Sequence, residues 1–134
     1  MSRGTRLWQN EFVELEVSYA DKIVVVRRTA ALFAPLVDVE NTTDEIARAL
    51  PLERRRNHGV LIDMRVAPVR TDSSLEPAFA RYRVEVERGF ERAAVVVTTV
   101  VGRMRSERLG RETQIPLTIV GSIEEAWQIL RERV

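Results

Sequence analysis

The chain has 134 residues, 45% of them hydrophobic, so it has the size and apolar content of one domain, which we expect to span residues 1–134. Its 21 basic and 20 acidic residues leave a net charge of +1, which excludes a whole-molecule field that would draw it to nucleic acid or to an anionic membrane. The absence of cysteine excludes thiol catalysis, disulfides and cysteine-based metal sites. The sequence also has no apolar run long enough for a signal peptide or a membrane span, and the two observations together predict a cytoplasmic protein.

The first predicted elements are two strands. From Phe12 to Tyr19 apolar and polar residues alternate strictly, which predicts a half-solvated strand at or near a sheet edge. The β-branched run Ile23–Val26 is continuous and predicts a strand that is buried on both faces. A short polar break separates the two strands, so we expect an antiparallel hairpin. Residues 29–41 show no clean period around Pro35, and they stay unassigned.

A helix and a third strand follow. Thr42 and Glu45 have the spacing of a capping box, and the apolar residues after them recur at helical spacing. This pattern predicts a helix from about Thr43 to Leu50. The apolar residues Val60, Leu61, Ile62 and Met64 lie between Gly59 and Pro68 and predict the third strand.

The strongest helix signal lies in the second half of the chain. One apolar stripe advances by three or four residues at a time and predicts a helix that ends near Gly89. Its members are Leu75, Phe79, Tyr82, Val86 and Phe90. The continuous run Ala93–Val97 predicts a fourth, buried strand. The segment Met104–Leu109 belongs to a third helix that ends near Gly110.

The last two predicted elements are a strand over Leu117–Val120 and an amphipathic helix. Ser122 and Glu125 form a second capping-box spacing, and apolar residues recur at i, i+3, i+4 and i+7 from Ile123. Repeated strand–helix–strand units require right-handed crossovers and a largely parallel sheet. We therefore predict an α/β fold with a single mixed, mostly parallel five-stranded sheet, an antiparallel N-terminal edge hairpin and about four helices.

This order of elements and three short motifs resemble the STAS family, the domain shared by sulphate transporters and anti-sigma-factor antagonists, and the wider STAS-like group of small bacterial proteins. The motifs are Leu61–Met64 as the central strand, Thr71–Ser74 at the start of the next helix and Ser122–Trp127 at the start of the last helix. The resemblance implies a STAS-like domain that acts by binding another protein, such as a kinase or a regulator.

The resemblance also implies a modification site. In the antagonists, an Asp-Ser-Ser-Gly stretch contains the serine that a partner kinase phosphorylates, which implies Ser74, and after it Ser73, as the phosphoacceptor here. The chain departs from the family at Leu75, which replaces the glycine, and at Glu76, which adds a negative charge beside the acceptor. A phosphate at a helix N-terminus would meet unpaired amides and the positive end of the helix dipole, so the fold would tolerate it.

The same segment has a purely structural interpretation. Ser73 and Glu76 have capping-box spacing, so Ser73 can serve as the N-cap of the strong helix. Pro77 then falls in the first turn, where its missing N–H does no harm. The two serines are explained by this interpretation without any function.

The loops at the carboxyl ends of the strands are where a ligand or a partner is expected. Open α/β sheets bind their ligands there, which directs attention to the loops after Ile62, Val97 and Val120. After the first of these strands, the expected partner or ligand surface consists of Asp63, Arg65, Arg70, Thr71, Asp72 and Glu76. Asp63 also has a structural interpretation, as the partner of Arg65.

No catalytic or metal-binding group assembles along the sequence. His58 is the only histidine, and it precedes the third strand, at the end of the sheet opposite to the expected ligand side. We find no Ser-His-Asp arrangement, no glycine-rich phosphate loop and no metal-ligand spacing around His58. We therefore expect no enzymatic activity, no cofactor and no metal, with an undetected hydrolase as the remaining alternative.

Arginines form two local clusters. Arg54–Arg56 is interpreted as a short solvated run in a loop. Arg103, Arg105, Arg108 and Arg111 are spread around the third helix instead of along one stripe. Neither cluster is interleaved with aromatic residues, so we do not expect nucleic-acid binding.

Apolar residues near the N-terminus have two interpretations. Leu7, Trp8 and Phe12 precede or begin the edge strand, where they either pack on the core or form a homodimer contact. The functional hypothesis is a non-enzymatic STAS-like interaction or regulatory domain that is switched by serine phosphorylation. The alternative is a carrier or sensor of a small apolar or anionic molecule.

Overall fold

The computed structural model of the chain describes residues 4–68, 73–110 and 115–132. These residues form six strands: β1 (Thr5–Gln9), β2 (Val13–Ser18), β3 (Ile23–Arg28), β4 (Gly59–Asp63), β5 (Arg92–Val96) and β6 (Leu117–Val120). They also form five helices: α1 (Leu36–Ala49), α2 (Leu52–Arg55), α3 (Glu76–Glu87), α4 (Val100–Gly110) and α5 (Ile123–Arg131). None of the helices in the described ranges is long and apolar enough to span a bilayer.

The six strands lie in one sheet, and their order across the sheet repeats their order along the chain. The pairs β1–β2 and β2–β3 are antiparallel, whereas β3–β4, β4–β5 and β5–β6 are parallel. The predicted mixed sheet with an antiparallel N-terminal hairpin is confirmed, with one strand more than expected. The extra strand, β1, has no period-2 pattern and is stabilised by its pairing with β2. As a result β2 lies inside the sheet and not at its edge.

Both faces of the sheet are buried over the central strands, as the β-branched runs predict. Helices α1 and α3 cover the first face, which includes Val24, Val26, Val60, Ile62 and Val95. Helix α5 packs on the second face, which includes Ile23, Val25, Leu61, Ala94 and Val96. Side chains alternate between the faces along each strand, so neighbouring residues of β3 and β4 contribute to different cores.

Helix α1 begins seven residues earlier than predicted, at Leu36. The capping box inferred at Thr42 is therefore wrong, because Thr42 lies in the middle of the helix and is buried. Its hydroxyl accepts a hydrogen bond from Asn10 Nδ2 at 2.9 Å, which ties the helix to the β1–β2 turn. Val39 and Ile46 pack into the core on the same side. Tertiary packing thus stabilises a helix that begins before the position predicted from the sequence pattern.

The burial of Arg55 shows that the interpretation of Arg54–Arg56 as a solvated run is wrong at this residue. Its side chain is fully buried, at 0% exposure, and its guanidinium lies 5.3 Å from the Phe90 ring centroid. It donates to the carbonyl oxygens of Leu50 and Arg88, each at 2.9 Å, and to Glu85 Oε2 at 2.6 Å. Arg55 therefore joins α2 to α3 from inside the protein, whereas Arg54 and Arg56 are exposed.

Two features of the C-terminal region agree with the sequence. Helix α4 ends at Gly110, as predicted. Ser122 is the N-cap of α5, and its hydroxyl oxygen accepts a hydrogen bond from the Glu125 backbone N–H at 3.2 Å. The second capping box is therefore confirmed on its serine side.

Candidate functional site

A cavity of about 350 Å³ lies at the carboxyl ends of β4 and β5, between α3 and α4. The loop Met64–Pro68 and the segment Val97–Thr99 contribute to its lining, together with side chains from both helices. These segments follow two of the three strands at whose ends the strand order predicts ligand binding. A volume of this size is typical of small-molecule sites, which measure about 300–1,000 Å³.

Apolar side chains form much of the wall. They come from four segments and include Met64, Phe79, Val97 and Val101. Phe33 stands behind this wall in an aromatic cluster. Its ring centroid is 5.5 Å from that of Phe79 and 5.3 Å from that of Tyr82, both in edge-to-face geometry. This cluster holds the aromatic side of the cavity in a defined shape.

Polar atoms of the lining residues are buried with unmet hydrogen-bonding capacity, and Tyr82 and Arg83 supply two of them. Tyr82 is 1% exposed, and its hydroxyl has no hydrogen-bond partner among the described residues. Arg83 is 6% exposed and donates from Nη2 to Glu87 Oε1 at 2.7 Å, while its Nε–H has no partner in the same part of the chain. Because native proteins satisfy nearly all buried polar atoms, such groups call for an explanation.

The Tyr82 hydroxyl is a hydrogen-bond donor in this environment. Complete burial raises the pKa of Tyr82, and the charges of Arg28 and Arg83 oppose that shift without cancelling it. The phenol therefore stays protonated at neutral pH. Arg28 is itself buried in the lining, with its guanidinium 4.4 Å from the Phe33 ring centroid.

Further charged residues stand in the outer part of the lining. Arg65, Arg105 and Arg108 belong to it, together with Glu76. Arg108 Nη2 bonds to Glu76 Oε1, which links α4 to the start of α3. Both of these side chains are more than half exposed, so their ion pair is screened by solvent.

Asp63 lies outside the cavity lining and orients one member of it. Its Oδ1 accepts bonds from the Arg65 backbone N–H at 3.1 Å and from Arg65 Nε at 2.9 Å, and its Oδ2 accepts one from Arg65 Nη2 at 2.9 Å. Burial would raise the pKa of Asp63, but these bonds, with the charges of Arg65 and Arg27, outweigh burial and lower it. The predicted pair with Arg65 is confirmed, and Asp63 serves to position that arginine.

The structure brings together part of the predicted surface. Arg65 and Glu76 both belong to the cavity lining, whereas Asp63 does not. Ser74 is exposed on the 3-10 turn Ser73–Leu75, just before α3. Arg70, Thr71 and Asp72, the side chain of Ser73, and Arg111 of the second arginine cluster lie outside the described residues.

The start of α3 differs from the predicted cap. The α-helix begins at Glu76, its N-cap is Leu75, and no side chain of the described residues caps it. The inference that Ser73 is the N-cap is therefore wrong, because the 3-10 turn separates Ser73 from the helix proper. Pro77 occupies the first turn, as predicted.

The sequence patterns do not identify the most informative residues of the lining. The sequence pattern places Tyr82 in an apolar stripe, although a tyrosine buried there needs a partner for its hydroxyl. Arg83 and Glu87 are spaced i, i+4 beside that stripe, a pattern that usually marks a solvated helix face. Arg28 follows the buried strand run directly. The one sequence feature that marks these residues is a polar side chain within or next to a pattern that predicts burial.

A second depression, of about 630 Å³, lies on the other face of the sheet beside α5. Its lining is charged, and Arg27 and Glu16 of that lining pair with each other and with residues beside it. Arg27 Nη1 lies 3.3 Å from Glu16 Oε1 and 3.4 Å from Glu14 Oε1. Arg6 Nη2 lies 3.2 Å from Glu16 Oε1.

His58 and the acidic residues form no recognisable reaction centre among the described residues. The His58 ring nitrogen Nδ1 lies 2.9 Å from the Arg56 carbonyl oxygen, before the amino end of β4 and away from the cavity. No three side chains of His, Asp or Glu in the described ranges come together as a metal site. The polar groups of the cavity lining are arginine, threonine, serine and tyrosine side chains, with one glutamate.

Comparison with known proteins identifies the fold. No protein-family model matches the chain, and no curated protein does. Among solved structures, it is similar to an uncharacterized protein of the DUF3478 family with a SpoIIAA-like fold from Shewanella loihica PV-4. The two chains are 15% identical, the TM-score is 0.65, and the match covers 97% of this chain and 98% of the other. The chain therefore has a SpoIIAA-like fold, the fold of STAS-like domains.

Proposed function

We propose that the chain is a non-enzymatic STAS-like binding domain that holds a small amphipathic molecule in the cavity between α3 and α4. The observation that supports this is a cavity of about 350 Å³ whose wall combines apolar side chains with arginine and hydroxyl side chains. At about 30 Å³ per water molecule, this is room for roughly a dozen waters. It matches a ligand of about ten to twelve non-hydrogen atoms.

The chemistry of the wall favours binding over catalysis. A carrier or sensor site needs an apolar surface and a few fixed polar contacts, which the cavity offers. A hydrolytic site needs a nucleophile within hydrogen-bonding reach of a base. His58, the only histidine, is not part of the lining. These features support the small-molecule alternative over the hydrolase alternative.

The experiment fills the cavity without touching its polar groups. Ala80 belongs to the lining and is half-buried on α3, so Ala80→Phe places a ring in the binding space. Ala47→Phe is the matched control, because Ala47 is half-buried on α1 and is not part of the lining. Native mass spectrometry of the purified protein and ligand-observed NMR with octanamide are the measurements.

We expect wild type and Ala47→Phe to bind octanamide, or to retain a molecule from the expressing cell, and we expect Ala80→Phe to lose both. Circular dichroism confirms that all three proteins are folded. Binding that survives in folded Ala80→Phe, or no binding by any of the three, contradicts the proposed function.

A second candidate is a protein-interaction domain switched by phosphorylation at Ser74. The observation in its favour is that Ser74 is exposed on the turn immediately before α3, close in sequence to Glu76 of the cavity lining. A phosphate there would add a charge of about −1.5 to −2 near that end of the cavity. Incubation with cytoplasmic lysate and ATP, followed by mass spectrometry, tests it. Absence of phosphate from Ser73 and Ser74 removes the switch.

Homodimerisation through the N-terminal apolar residues stays a prediction. Phe12 stacks on Phe33 with centroids 5.1 Å apart and is buried, so it acts in the core. Leu7 and Trp8 are partly buried on β1, the edge strand of the sheet. Analytical ultracentrifugation of wild type and Trp8→Ser distinguishes a dimer formed there from a monomer. The cytoplasmic location, proposed from the absence of cysteine, is tested by cell fractionation.

A further inference from the structure

We infer that helix α4 is the movable wall of the cavity. It opens by local unfolding while the sheet and the helices α1, α3 and α5 stay folded, and the ligand enters during that opening. The entry step rests on the proposed function, to which it adds the route that the ligand takes. The opening of α4 is a property of the ligand-free protein and is measured without any ligand.

Helix α4 is held to the protein without a buried apolar side chain in its described part. Over residues 100–108, where the side chains of α4 are described, Ser106 is the one that is buried. The apolar residues of the same stretch are exposed instead: Val100 is 75% exposed, Val101 47% and Met104 64%. Because packing of apolar side chains supplies most of the free energy that stabilises a helix in a domain, α4 is weakly held.

The other long helices are anchored in the two cores. Each of them buries apolar side chains. These are Val39 and Ile46 in α1, Tyr82 and Val86 in α3, and Ala126 and Leu130 in α5. Segments with few buried apolar contacts open locally at a lower free energy than the segments that form the core. We therefore expect α4 to open while the other three helices remain in place.

The polar contacts of α4 do not replace an apolar anchor. Thr99 Oγ1 accepts a hydrogen bond from the Gly102 backbone N–H at 2.9 Å, which stabilises the first turn but does not hold the helix on the sheet. Arg108 bonds to Glu76 at the start of α3, but both side chains are more than half exposed and solvent screens the pair. Helix α4 has 11 residues, and an isolated helix of that length is marginal in water, so a detached α4 also unfolds.

The position of α4 makes its opening a route into the cavity. One side of the lining comes from this helix, through Val101, Gly102, Arg105, Ser106 and Arg108. Val97, before the helix, is buried, and its N–H donates to the Val120 carbonyl oxygen at 3.1 Å, so the chain is fixed to the sheet up to this residue. The exposed Thr98 and Thr99 then lead into α4, and the chain bends there when the helix leaves. The opposite wall, on α3, stays in place.

Hydrogen exchange of the ligand-free protein, followed by NMR, measures the opening. After correction for intrinsic exchange rates, the amides of residues 104–108 in α4 should exchange at least about a hundredfold faster than those of residues 80–86 in α3. Low concentrations of urea should accelerate exchange in α3 and leave exchange in α4 nearly unchanged, because a local opening exposes little new surface.

Two glycine variants show whether α4 opens on its own. Arg103 on α4 and Arg81 on α3 are matched, since both are exposed and outside the cavity lining, and each forms an exposed ion pair at 3.5 Å, with Glu107 and Glu40 respectively. Arg103→Gly should accelerate exchange in α4 about fourfold, the difference in helix propensity between arginine and glycine. Arg81→Gly should accelerate exchange in α3 by a similar factor and leave α4 unchanged. Circular dichroism confirms that both variants are folded.

The association rate of octanamide connects the opening to ligand entry. If the ligand enters only when α4 is open, the association rate constant is proportional to the population of the open state. That rate constant, obtained from the NMR line shapes of a titration, should rise about fourfold in Arg103→Gly and should equal the wild-type value in Arg81→Gly. The urea dependence of exchange in wild type keeps the opening testable if one of the variants does not fold.

The outcomes separate the movable wall from the proposed function. If Arg81→Gly, or urea, accelerates exchange in α4 as strongly as in α3, then α4 opens only with the whole protein and the inference is overturned. Equal association rates in wild type and both variants overturn the route of entry. If α4 opens locally but octanamide does not bind wild type, the proposed function fails and the local opening of α4 is supported.

Discussion

Arg83 donates from Nη2 to Glu87 Oε1 at 2.7 Å, one turn further along α3, with both side chains almost completely buried. Breaking a buried pair of this kind destabilises the fold strongly, because removing one partner leaves an uncompensated charge in the interior. Here Glu87 balances the charge of Arg83, and the Arg83 Nε–H still has no partner among the described residues.

The first prediction concerns this pair. Glu87→Gln should lower the free energy of unfolding by about 3–5 kcal/mol, because it leaves the Arg83 charge buried without a carboxylate. Arg103 and Glu107 on α4 form the matched pair, also spaced i, i+4 but half exposed, at 3.5 Å. Glu107→Gln should change stability by less than about 0.5 kcal/mol. Urea denaturation of both variants checks this, and equal losses would contradict it.

The second prediction concerns the buried hydroxyl of Tyr82. Tyr82→Phe should leave the free energy of unfolding unchanged or raise it by about 1 kcal/mol, because the buried hydroxyl of Tyr82 has no described partner to lose. Tyr19→Phe, at a residue that is 64% exposed, should have no effect. Thermal unfolding in the absence of ligand is the measurement. A loss above about 1 kcal/mol would show that the hydroxyl supports the fold.

The third prediction concerns acid stability. The pKa of Asp63 is lower in the folded chain than in the unfolded chain, so the deprotonated carboxylate stabilises the fold. That contribution is fully present above the unfolded pKa of about 3.9 and is lost as the pH falls through the lower, folded value. At pH 7, Asp63→Asn should lower the free energy of unfolding by about 2 kcal/mol, the scale of hydrogen bonds to a charged group.

The pH series provides the control for that prediction. The difference between wild type and Asp63→Asn should shrink as urea denaturation is repeated at values below pH 4, since protonation removes the same interaction from wild type. Asp44→Asn, at an exposed position on α1, should parallel wild type over the whole series. A deficit of Asp63→Asn that stays constant down to the lowest pH would refute a carboxylate with a depressed pKa.

The fourth prediction tests the buried arginine. Arg55→Lys should destabilise the protein by about 3 kcal/mol, because an ammonium group cannot reach the Leu50 and Arg88 carbonyl oxygens and the Glu85 carboxylate together. Arg54→Lys, at the exposed neighbouring position, should change stability by less than about 0.5 kcal/mol. Chemical denaturation compares them, and a tolerated lysine at residue 55 would contradict the proposed role.

The strands were the most predictable part of the fold. Ile23–Val26 and Ala93–Val97 are continuous runs of β-branched or small residues, which are typical of a sheet buried on both faces. The first run lies in β3, and the second lies in β5 and the residue that follows it. Helix α1 and strand β1 were harder, because each depends on a partner distant in sequence. Asn10 illustrates this, since it bonds to Thr42 across 32 residues.

The site was predictable in position but not in composition. The strand order directed attention to the loops after Ile62, Val97 and Val120, and the cavity lies at the first two of these strand ends, with Arg65 and Glu76 in its lining. Tyr82 and Arg83 could not be identified from spacing, because the absence of a partner is a property of the folded neighbourhood. A sequence shows that a tyrosine lies in an apolar stripe, but only the packing shows whether its hydroxyl is satisfied.

The order of the strands across the sheet has a consequence for how the chain folds. Each strand pairs with the one that precedes it along the chain, so no strand must insert between two that are already joined. The entropy of loop closure is then confined to one turn or one helical crossover at each step. A chain leaving the ribosome can therefore add its strands one by one at a single growing edge, with the antiparallel N-terminal strands as the first template.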